Sequence, residues 1–141
     1  MALLRAISGR VALEFLSPTA AIATLIENAV SVAVRDKYPV TDWHILVVPK
    51  RHTPDYFDLG TAESRACHRL IMEARSLVCK ADPAVMGFNM GFNSGEVAGQ
   101  TVMHCHVHLI PRRTGDHPNP RGGVRAVIPS KGTTGRCWHP G

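Results

Sequence analysis

The sequence predicts an α+β domain with an antiparallel sheet, and three observations support this class. Four stretches with alternating or continuous apolar residues predict β-strands, at 29–35, 43–48, 85–92 and 104–110. One long stretch, residues 61–80, has the periodicity of an amphipathic helix. Because parallel neighbours need a crossover helix at each step, a single long helix among several strands favours antiparallel pairing.

The composition is that of one globular domain with mild attraction for anions. The 141 residues are 45% hydrophobic, and no apolar run approaches the ~20 residues of a membrane span. The formal net charge of +5 favours phosphate-bearing partners. The basic residues are spread along the chain without interleaved aromatics, which argues against a dedicated nucleic-acid site.

The cysteines and the N-terminus predict a reducing compartment, with the cytoplasm as the expected location. Cys67, Cys79, Cys105 and Cys137 show no CxxC pairing, so a disulfide framework is not expected. The first residues lack the long apolar core and small-residue cleavage site of a secretory signal.

The first elements follow from caps and turns. Ser17–Thr19 predicts an N-cap and a first-turn proline for a short helix that runs to about Glu27. Residues 29–35 alternate small or polar residues with valine, which is typical of a strand. A turn at 36–39 then leads to a more buried strand at 43–48.

The later elements are the long helix and the segments around it. Alanine and leucine repeat at helical spacing within 61–80, and Asp82-Pro83 ends the helix. The strand at 85–92 is followed by a polar loop at 93–100. After Pro111 the chain becomes rich in glycine and proline. We therefore predict a folded domain over residues 1–113, and over residues 114–141 an extended C-terminal arm that can be partly disordered.

The last strand carries the most informative feature, three histidines at alternate positions. A regular strand turns His104, His106 and His108 to one face, ~6.7 Å apart, and the intervening apolar residues to the other. Imidazole can act near neutral pH as nucleophile, acid, base or metal ligand. Packing alone is a poor explanation for this row, so we predict that it forms the functional site.

Metal binding is the rival chemistry for this row. Histidines at i and i+2 on a strand can chelate zinc, but catalytic zinc usually has three protein ligands and a second-shell partner. His104 and His108 are ~13 Å apart along a strand, and no acidic residue lies between Glu96 and Asp116. We therefore predict no bound metal.

The row and two other segments resemble the histidine triad family of nucleotide hydrolases and transferases. Residues 104–110 fit its signature His-φ-His-φ-His-φ-φ, where φ is apolar. Residues 42–52 are similar to its second signature, a strand with one histidine that ends in Pro-Lys-x-His. Asn93 with 99–102 resembles its phosphate-side loop. The resemblance covers roughly residues 28–113.

The resemblance implies the histidine triad (HIT) fold, with about five antiparallel strands, one long helix and a two-fold homodimer. Residues 111–113 and 120–125 look more like the branch of the fragile histidine triad proteins and bacterial diadenosine polyphosphate hydrolases than the nucleoside phosphoramidase branch.

The resemblance also implies the roles of the histidines. The family's middle histidine, matched by His106, attacks the α-phosphorus and forms a nucleotidyl-imidazole that water cleaves. Its second nitrogen should donate to a fixed acceptor, expected to be a backbone carbonyl. His104 and His108 would bind phosphate oxygens or steady the leaving group, and His44 would complete the cluster.

The remaining implied contacts are to the nucleotide. An acidic residue eight positions before the single histidine, Asp36, would bind the ribose hydroxyls. Loop amides around Gly99 would bind phosphate oxygens, although a plain hairpin loop is also compatible with the sequence. The implied nucleotide-binding set is Asp36, Asn93, Gly99, Gln100, Thr101 and His108.

The implied function is hydrolysis at the α-phosphate of an adenine nucleotide with release of AMP, with a dinucleoside polyphosphate as the favoured substrate. A nucleoside phosphoramidase, another nucleotidyl transferase, or a nucleotide-binding regulatory protein with incidental turnover are the alternatives. No tightly bound cofactor is expected, and a divalent cation would act by chelating the polyphosphate of the substrate.

Overall fold

The computed structural model describes residues 24–133, which form one five-stranded antiparallel sheet and one long helix. The strands lie in the order β1-β2-β3-β5-β4, and the helix α1 follows β3 in the chain. Their bounds are β1 Thr24–Glu27, β2 Ser31–Arg35, β3 Ile45–Pro49, α1 Thr61–Ala81, β4 Gly87–Gly91 and β5 Val107–Arg112. This confirms the predicted α+β class. No helix of this described part has the length and apolarity to cross a membrane.

The short helix predicted to end near Glu27 is wrong at its C-terminal end, because Thr24–Glu27 is strand β1. Asn28 forms the turn that follows, where its side-chain oxygen accepts hydrogen bonds from the N–H groups of Val30 and Ser31 at 3.1 and 2.9 Å. The turn returns the chain so that β1 pairs with β2. Pairing in the sheet thus overrides the local helix signal. The predicted helix start at 17–23 lies outside the described residues.

The helix covers one face of the sheet and forms the core. Its first turn is fixed by Glu63, whose carboxylate accepts from the Gly60 N–H at 3.3 Å. Leu70 is completely buried, which contributes about 1.5–3 kcal/mol relative to exposure. The residues of this core cluster are Ala33, Ile45, Val47, Cys67, Leu70, Ile71, Ala74, Val78, Val107 and Leu109.

The other face of the sheet presents a row of residues that runs across four strands. Val34 lies opposite Leu46, Leu46 opposite His108, and His108 opposite Gly91. Since side chains alternate along a strand and Val107 and Leu109 face the helix, His108 points to the opposite face. The site described below lies on this second face.

Strand β5 begins at Val107, so the regular strand predicted from His104 is wrong over its first three residues. Pairing with β3 ends at Val47–Val107, and the same register would place Pro49 opposite Cys105. Proline has no N–H to continue the ladder. His104, Cys105 and His106 therefore leave the strand geometry, and all three are buried rather than alternating between faces.

The described part of the C-terminal arm turns back toward the sheet. Arg112 bonds to Asp116 at 2.8 Å and to Asn89 on β4 at 2.6 Å. Two short 3₁₀ helices follow, Gly123–Val127 and Pro129–Lys131, and the first contacts β4. Residues 134–141 lie outside the described part, and the division of the chain at residue 113 stays a prediction.

Candidate active site

A cavity of about 420 Å³ opens on the face of the sheet that carries His108. His44 and His108 lie on its wall together with Asn93 from the loop after β4. Val124 and Val127, from the first 3₁₀ helix of the arm, contribute an apolar wall. The volume falls in the range of sites for small organic ligands.

Three of the predicted catalytic histidines lie together. The ring centroids of His44 and His108 are 5.1 Å apart, and those of His106 and His108 are also 5.1 Å apart. The distance between His106 and His108 is shorter than the ~6.7 Å of a regular strand, because His106 precedes β5. The structure therefore brings His44, the first residue before β3, against the end of the histidine row.

The hydrogen bond of His106 defines which of its nitrogens can attack. Nδ1 of His106 lies 2.8 Å from the carbonyl oxygen of His104. A carbonyl oxygen can only accept, so Nδ1 carries the hydrogen and donates it. In the neutral ring the lone pair is then on Nε2. The acceptor is the backbone carbonyl that a nucleophilic imidazole requires.

A second chain of hydrogen bonds fixes the tautomers of His44 and His108. The N–H of Val40 donates to Nδ1 of His44 at 3.2 Å, so the hydrogen of the neutral His44 ring is on Nε2. That nitrogen lies 2.9 Å from Nδ1 of His108 and donates to it. The hydrogen of neutral His108 is therefore on Nε2, which is a donor suited to a phosphate oxygen.

Burial keeps these imidazoles neutral. Loss of hydration lowers the pKa of His108 to about 4, with the nearby His106 and His44 adding to the effect. Burial also lowers the pKa of His44, opposed by the charge of Asp36. At neutral pH both rings are therefore uncharged, as the tautomers above require.

Acidification is expected to destabilise the folded protein through these histidines. Burial lowers the pKa values of His44, His104 and His108 below the ordinary value of 6.5, that of His108 to about 4. Between about pH 6.5 and about pH 4 the unfolded chain binds protons that the folded chain does not. The free energy of unfolding should therefore fall as the pH falls through this window.

Urea unfolding at about pH 7.5 and about pH 5 measures this loss. His108→Asn should lose less stability on acidification than the wild type. His68→Asn, at an exposed histidine on α1, is the matched control and should lose as much as the wild type. An undiminished loss in His108→Asn would contradict this assignment.

The turn before β3 places His44 and Asp36. Trp43 adopts a left-handed φ of 66°, which costs about 1–2 kcal/mol in a residue with a side chain. The guanidinium of Arg35 lies 3.7 Å from the centre of its ring and holds it there. The Asp36 N–H donates to the His44 carbonyl at 2.9 Å, and Oδ2 of Asp36 lies 3.4 Å from Nε2 of His44.

His104 does not share the cavity with the other histidines. Its side chain is completely buried, with Nε2 at 2.9 Å from the Pro49 carbonyl oxygen and Nδ1 at 2.9 Å from Nδ1 of His52. Burial lowers its pKa. The expectation that this ring touches phosphate or the leaving group is therefore corrected, because both of its nitrogens bond to the protein interior.

The loop residues also differ from the prediction. The Gln100 side chain is buried and accepts from the Gly95 N–H at 2.9 Å while donating to the Pro54 and Val102 carbonyls at 2.6 and 3.1 Å. These bonds use its side-chain amide to hold the loop. The backbone N–H groups of Gly99 and Gln100 donate to the Glu96 and Gly95 carbonyls at 2.9 and 3.2 Å, which corrects the expectation that these amides bind phosphate. Gly99 has a φ of 89° that favours glycine.

Of the predicted phosphate loop, only Asn93 lines the cavity. Gly99 and Thr101 are exposed and do not line it. The loop is tied to the segment after β3 by Ser94, whose hydroxyl donates to the Asp55 carboxylate at 3.0 Å.

The thiol between two of the histidines is not a competing nucleophile. Burial raises the pKa of Cys105 to about 12, so the reactive thiolate is absent at neutral pH. Cys105 therefore contributes to packing rather than to a nucleophilic site.

The structure does bring together a carboxylate and two histidines that could hold a metal ion. The ligand atoms of Asp36, His44 and His108 lie within 4.8 Å of one another. A neutral imidazole binds a metal through the nitrogen with the lone pair. Because Val40 donates to Nδ1 of His44, the nitrogen that faces this group carries a hydrogen. The donor set therefore does not fit a divalent metal.

One feature of the site had no signal in the sequence, the apolar wall formed by Val124 and Val127. These side chains come from the arm after β5, whose start is held by the bonds of Arg112 to Asp116 and to Asn89.

Comparisons with known proteins show that the chain belongs to the HIT family. The sequence signature of the HIT domain matches residues 19–115. An uncharacterized HIT-like protein of Mycoplasma genitalium is 36% identical over 86 residues, which are 61% of this chain and 60% of that protein. The asymmetrical bis(5'-nucleosyl)-tetraphosphatase of Schizosaccharomyces pombe is 35% identical over 86 residues, 61% of this chain and 47% of that enzyme.

The chain thus matches about three fifths or less of the length of these relatives. Among solved structures, a zinc-bound histidine triad family protein from Mycobacterium smegmatis is 28% identical with a TM-score of 0.63. The match covers 81% of this chain and 86% of that one.

Proposed function

Since the chain belongs to the HIT family, we propose that it is a nucleotide hydrolase that uses His106 as a nucleophile at the α-phosphate of an adenine nucleotide. The observation that carries this proposal is the bond from Nδ1 of His106 to the His104 carbonyl. It leaves the lone pair of the neutral ring on Nε2, as nucleophilic attack requires.

The proposed reaction has two displacements at phosphorus. In the first, Nε2 of His106 forms a bond to the α-phosphorus, and the bond from that phosphorus to the leaving oxygen breaks with its electron pair. In the second, the oxygen of water bonds to the phosphorus and the P–Nε2 bond breaks with its electron pair returning to Nε2. The water proton passes to solvent, and AMP leaves with the neutral His106 imidazole restored. Two moderate barriers replace one large barrier.

The proposed roles of His108 and His44 follow from which ring nitrogen of each carries the hydrogen. The Nε2–H of neutral His108 donates to a phosphate oxygen, and His44 keeps His108 in this tautomer. Fixed donors of this kind stabilise charge that grows on the phosphate oxygens in the transition state. Asp36, whose carboxylate lies 3.4 Å from Nε2 of His44, would receive the ribose hydroxyls.

The wall on the other side of the cavity supports a dinucleoside polyphosphate as substrate. Val124 and Val127 offer apolar surface to a second nucleoside, and Arg112 lines the same cavity. The relation to the Schizosaccharomyces pombe tetraphosphatase agrees with this choice. Both arginines pair with carboxylates, Arg112 with Asp116 at 2.8 Å and Arg113 with Asp82 at 2.6 Å, but Arg113 does not line the cavity.

The alternatives are a nucleoside phosphoramidase and a regulatory protein that binds nucleotides with incidental turnover. The deciding experiment is a panel of diadenosine polyphosphates, adenosine phosphoramidates and nucleoside diphosphate sugars, assayed for release of nucleoside monophosphate. Preference for the first group supports the proposal. Tight binding with negligible turnover on every substrate would favour the regulatory protein.

We further propose that the protein acts as a homodimer in the cytoplasm. β4 is an edge strand, and Met90 on it and Met86 before it are 52% and 77% exposed, which suits an interface with a second copy. Cys67, Cys79 and Cys105 are free thiols, which agrees with a reducing compartment.

Removal of metal is expected to leave the protein folded and active. The tautomer of His44 disfavours a metal in the group with Asp36 and His108, and the proposed attack by Nε2 of His106 uses no metal-bound group. Protein treated with chelator should keep its circular dichroism spectrum and its His106-dependent turnover. Added Mg²⁺ should help only substrates whose polyphosphate it chelates.

Elemental analysis of the purified protein tests the opposite result, a bound metal that the activity needs. Stoichiometric zinc, with activity lost on its removal and regained on its return, would favour a metallohydrolase over the proposed mechanism.

A further inference from the structure

The segment that carries the nucleophile is held by the chain that follows β3. Residues 104–106 precede β5 and lack the strand ladder. The Cys105 N–H donates instead to the Thr53 carbonyl at 2.7 Å, and the His104 ring bonds to the Pro49 carbonyl at 2.9 Å. His52 makes a third contact, to the other nitrogen of His104.

The direction of the His52–His104 hydrogen bond follows from the other bond of His104. The Pro49 carbonyl oxygen can only accept, so the hydrogen of the neutral His104 ring is on Nε2 and its lone pair is on Nδ1. Burial lowers the pKa of His104 and favours this neutral form. The 2.9 Å contact between the two Nδ1 atoms therefore needs a hydrogen on Nδ1 of His52.

We propose that His52 is a positioning residue for the nucleophile. Its Nδ1–H fixes the ring of His104, and the carbonyl of the same residue, His104, accepts from Nδ1 of His106. His52 is exposed, and its Nδ1 contacts the completely buried ring of His104, so its effect on the nucleophile is exerted through that residue. The inference rests on the proposed function, because the group that it orients is the proposed nucleophile.

The His52 side chain is exposed, but its ring is packed against the ring of His104. Its ring stacks on that of His104 with centroids 5.1 Å apart and planes inclined by 29°. Two substitutions separate the hydrogen bond from the shape. His52→Asn places an amide N–H where Nδ1–H was, whereas His52→Leu keeps an apolar side chain and removes the donor.

The first test measures formation of the nucleotidyl-enzyme in a single turnover of chelator-treated protein with a diadenosine polyphosphate. His52→Leu should slow this step on the order of tenfold, because the nucleophile is misplaced. His52→Asn should stay near the wild-type rate. In steady-state assays, KM should change by less than about twofold in both variants. His68→Leu, on the exposed face of α1, is the control and should behave as the wild type.

The second test does not depend on turnover. Nitrogen-15 NMR of the histidine rings should show His106 in the Nδ1–H tautomer in the wild type and in His52→Asn, and a mixture of tautomers in His52→Leu. Wild-type rate and tautomer in His52→Leu, or equal defects in the Leu and Asn variants, would overturn the role of His52. A chain that hydrolyses no nucleotide would refute the proposed function, and the NMR comparison would still decide this inference.

Discussion

His106→Ala is expected to lower turnover by at least about 10³-fold while leaving the fold and nucleotide binding nearly intact. The reason is that no other group of the described site can form the covalent intermediate. Cys105 is held as a thiol by its raised pKa, and the His104 ring faces the interior. In His106→Ala, water would have to attack the phosphorus directly, without the covalent intermediate.

The measurement combines steady-state release of AMP with mass spectrometry of acid-quenched enzyme. The wild type should gain one nucleotidyl group on the peptide that contains His106, and His106→Ala should not. His68→Ala, on the surface of α1, is the control for substitution of a histidine elsewhere. Activity above roughly a tenth of wild type in His106→Ala would show that another group is the nucleophile.

Much of the fold could be predicted because its signals are local. The apolar spacing of α1 predicted a helix over 61–80, and the structure has Thr61–Ala81. The valine-rich alternation before Asp36 predicted a strand over 29–35, and the structure has β2 there. β1 could not be predicted in this way, because the residues Thr24–Glu27 become a strand only through pairing with β2 after the Asn28 turn.

The candidate site was predictable in its residue types and less so in its geometry. His44, His106 and His108 do lie together, as the resemblance implied. The inward turn of His104 depends on Pro49, which ends the ladder at one register position of the sheet. A register is a property of two strands at once, so the sequence of one of them does not contain it.

The loop residue Gln100 shows the same limit. Its loop was expected to offer backbone N–H groups to phosphate, but the N–H of Gln100 donates to the Gly95 carbonyl. Its side chain bonds to backbone groups of Gly95, Pro54 and Val102. Pro54 lies on the segment after β3, far away in sequence. Which polar groups a buried amide satisfies is decided by that packing.

The second large effect is expected from the arm, and it should depend on the substrate. Val124 and Val127 line the cavity and are 63% and 76% exposed, so a second nucleoside can cover them. Covering two valines contributes about 2–3 kcal/mol, and the Val124→Ser, Val127→Ser double variant should lose most of it. That corresponds to roughly a 30- to 100-fold loss of kcat/KM on a diadenosine polyphosphate.

An adenosine phosphoramidate has a short leaving amine that does not reach this wall, so its kcat/KM should change by less than about twofold. Ile128→Ser is the matched control, because Ile128 is 56% exposed in the same segment but does not line the cavity. Deletion from Gly115 onward should act in the same direction. It also removes the Asp116 carboxylate that holds Arg112, so the point variants give the sharper comparison. Equal losses on both substrates would mean that the arm only stabilises the fold, and a selective loss on the phosphoramidate would reverse the choice of branch.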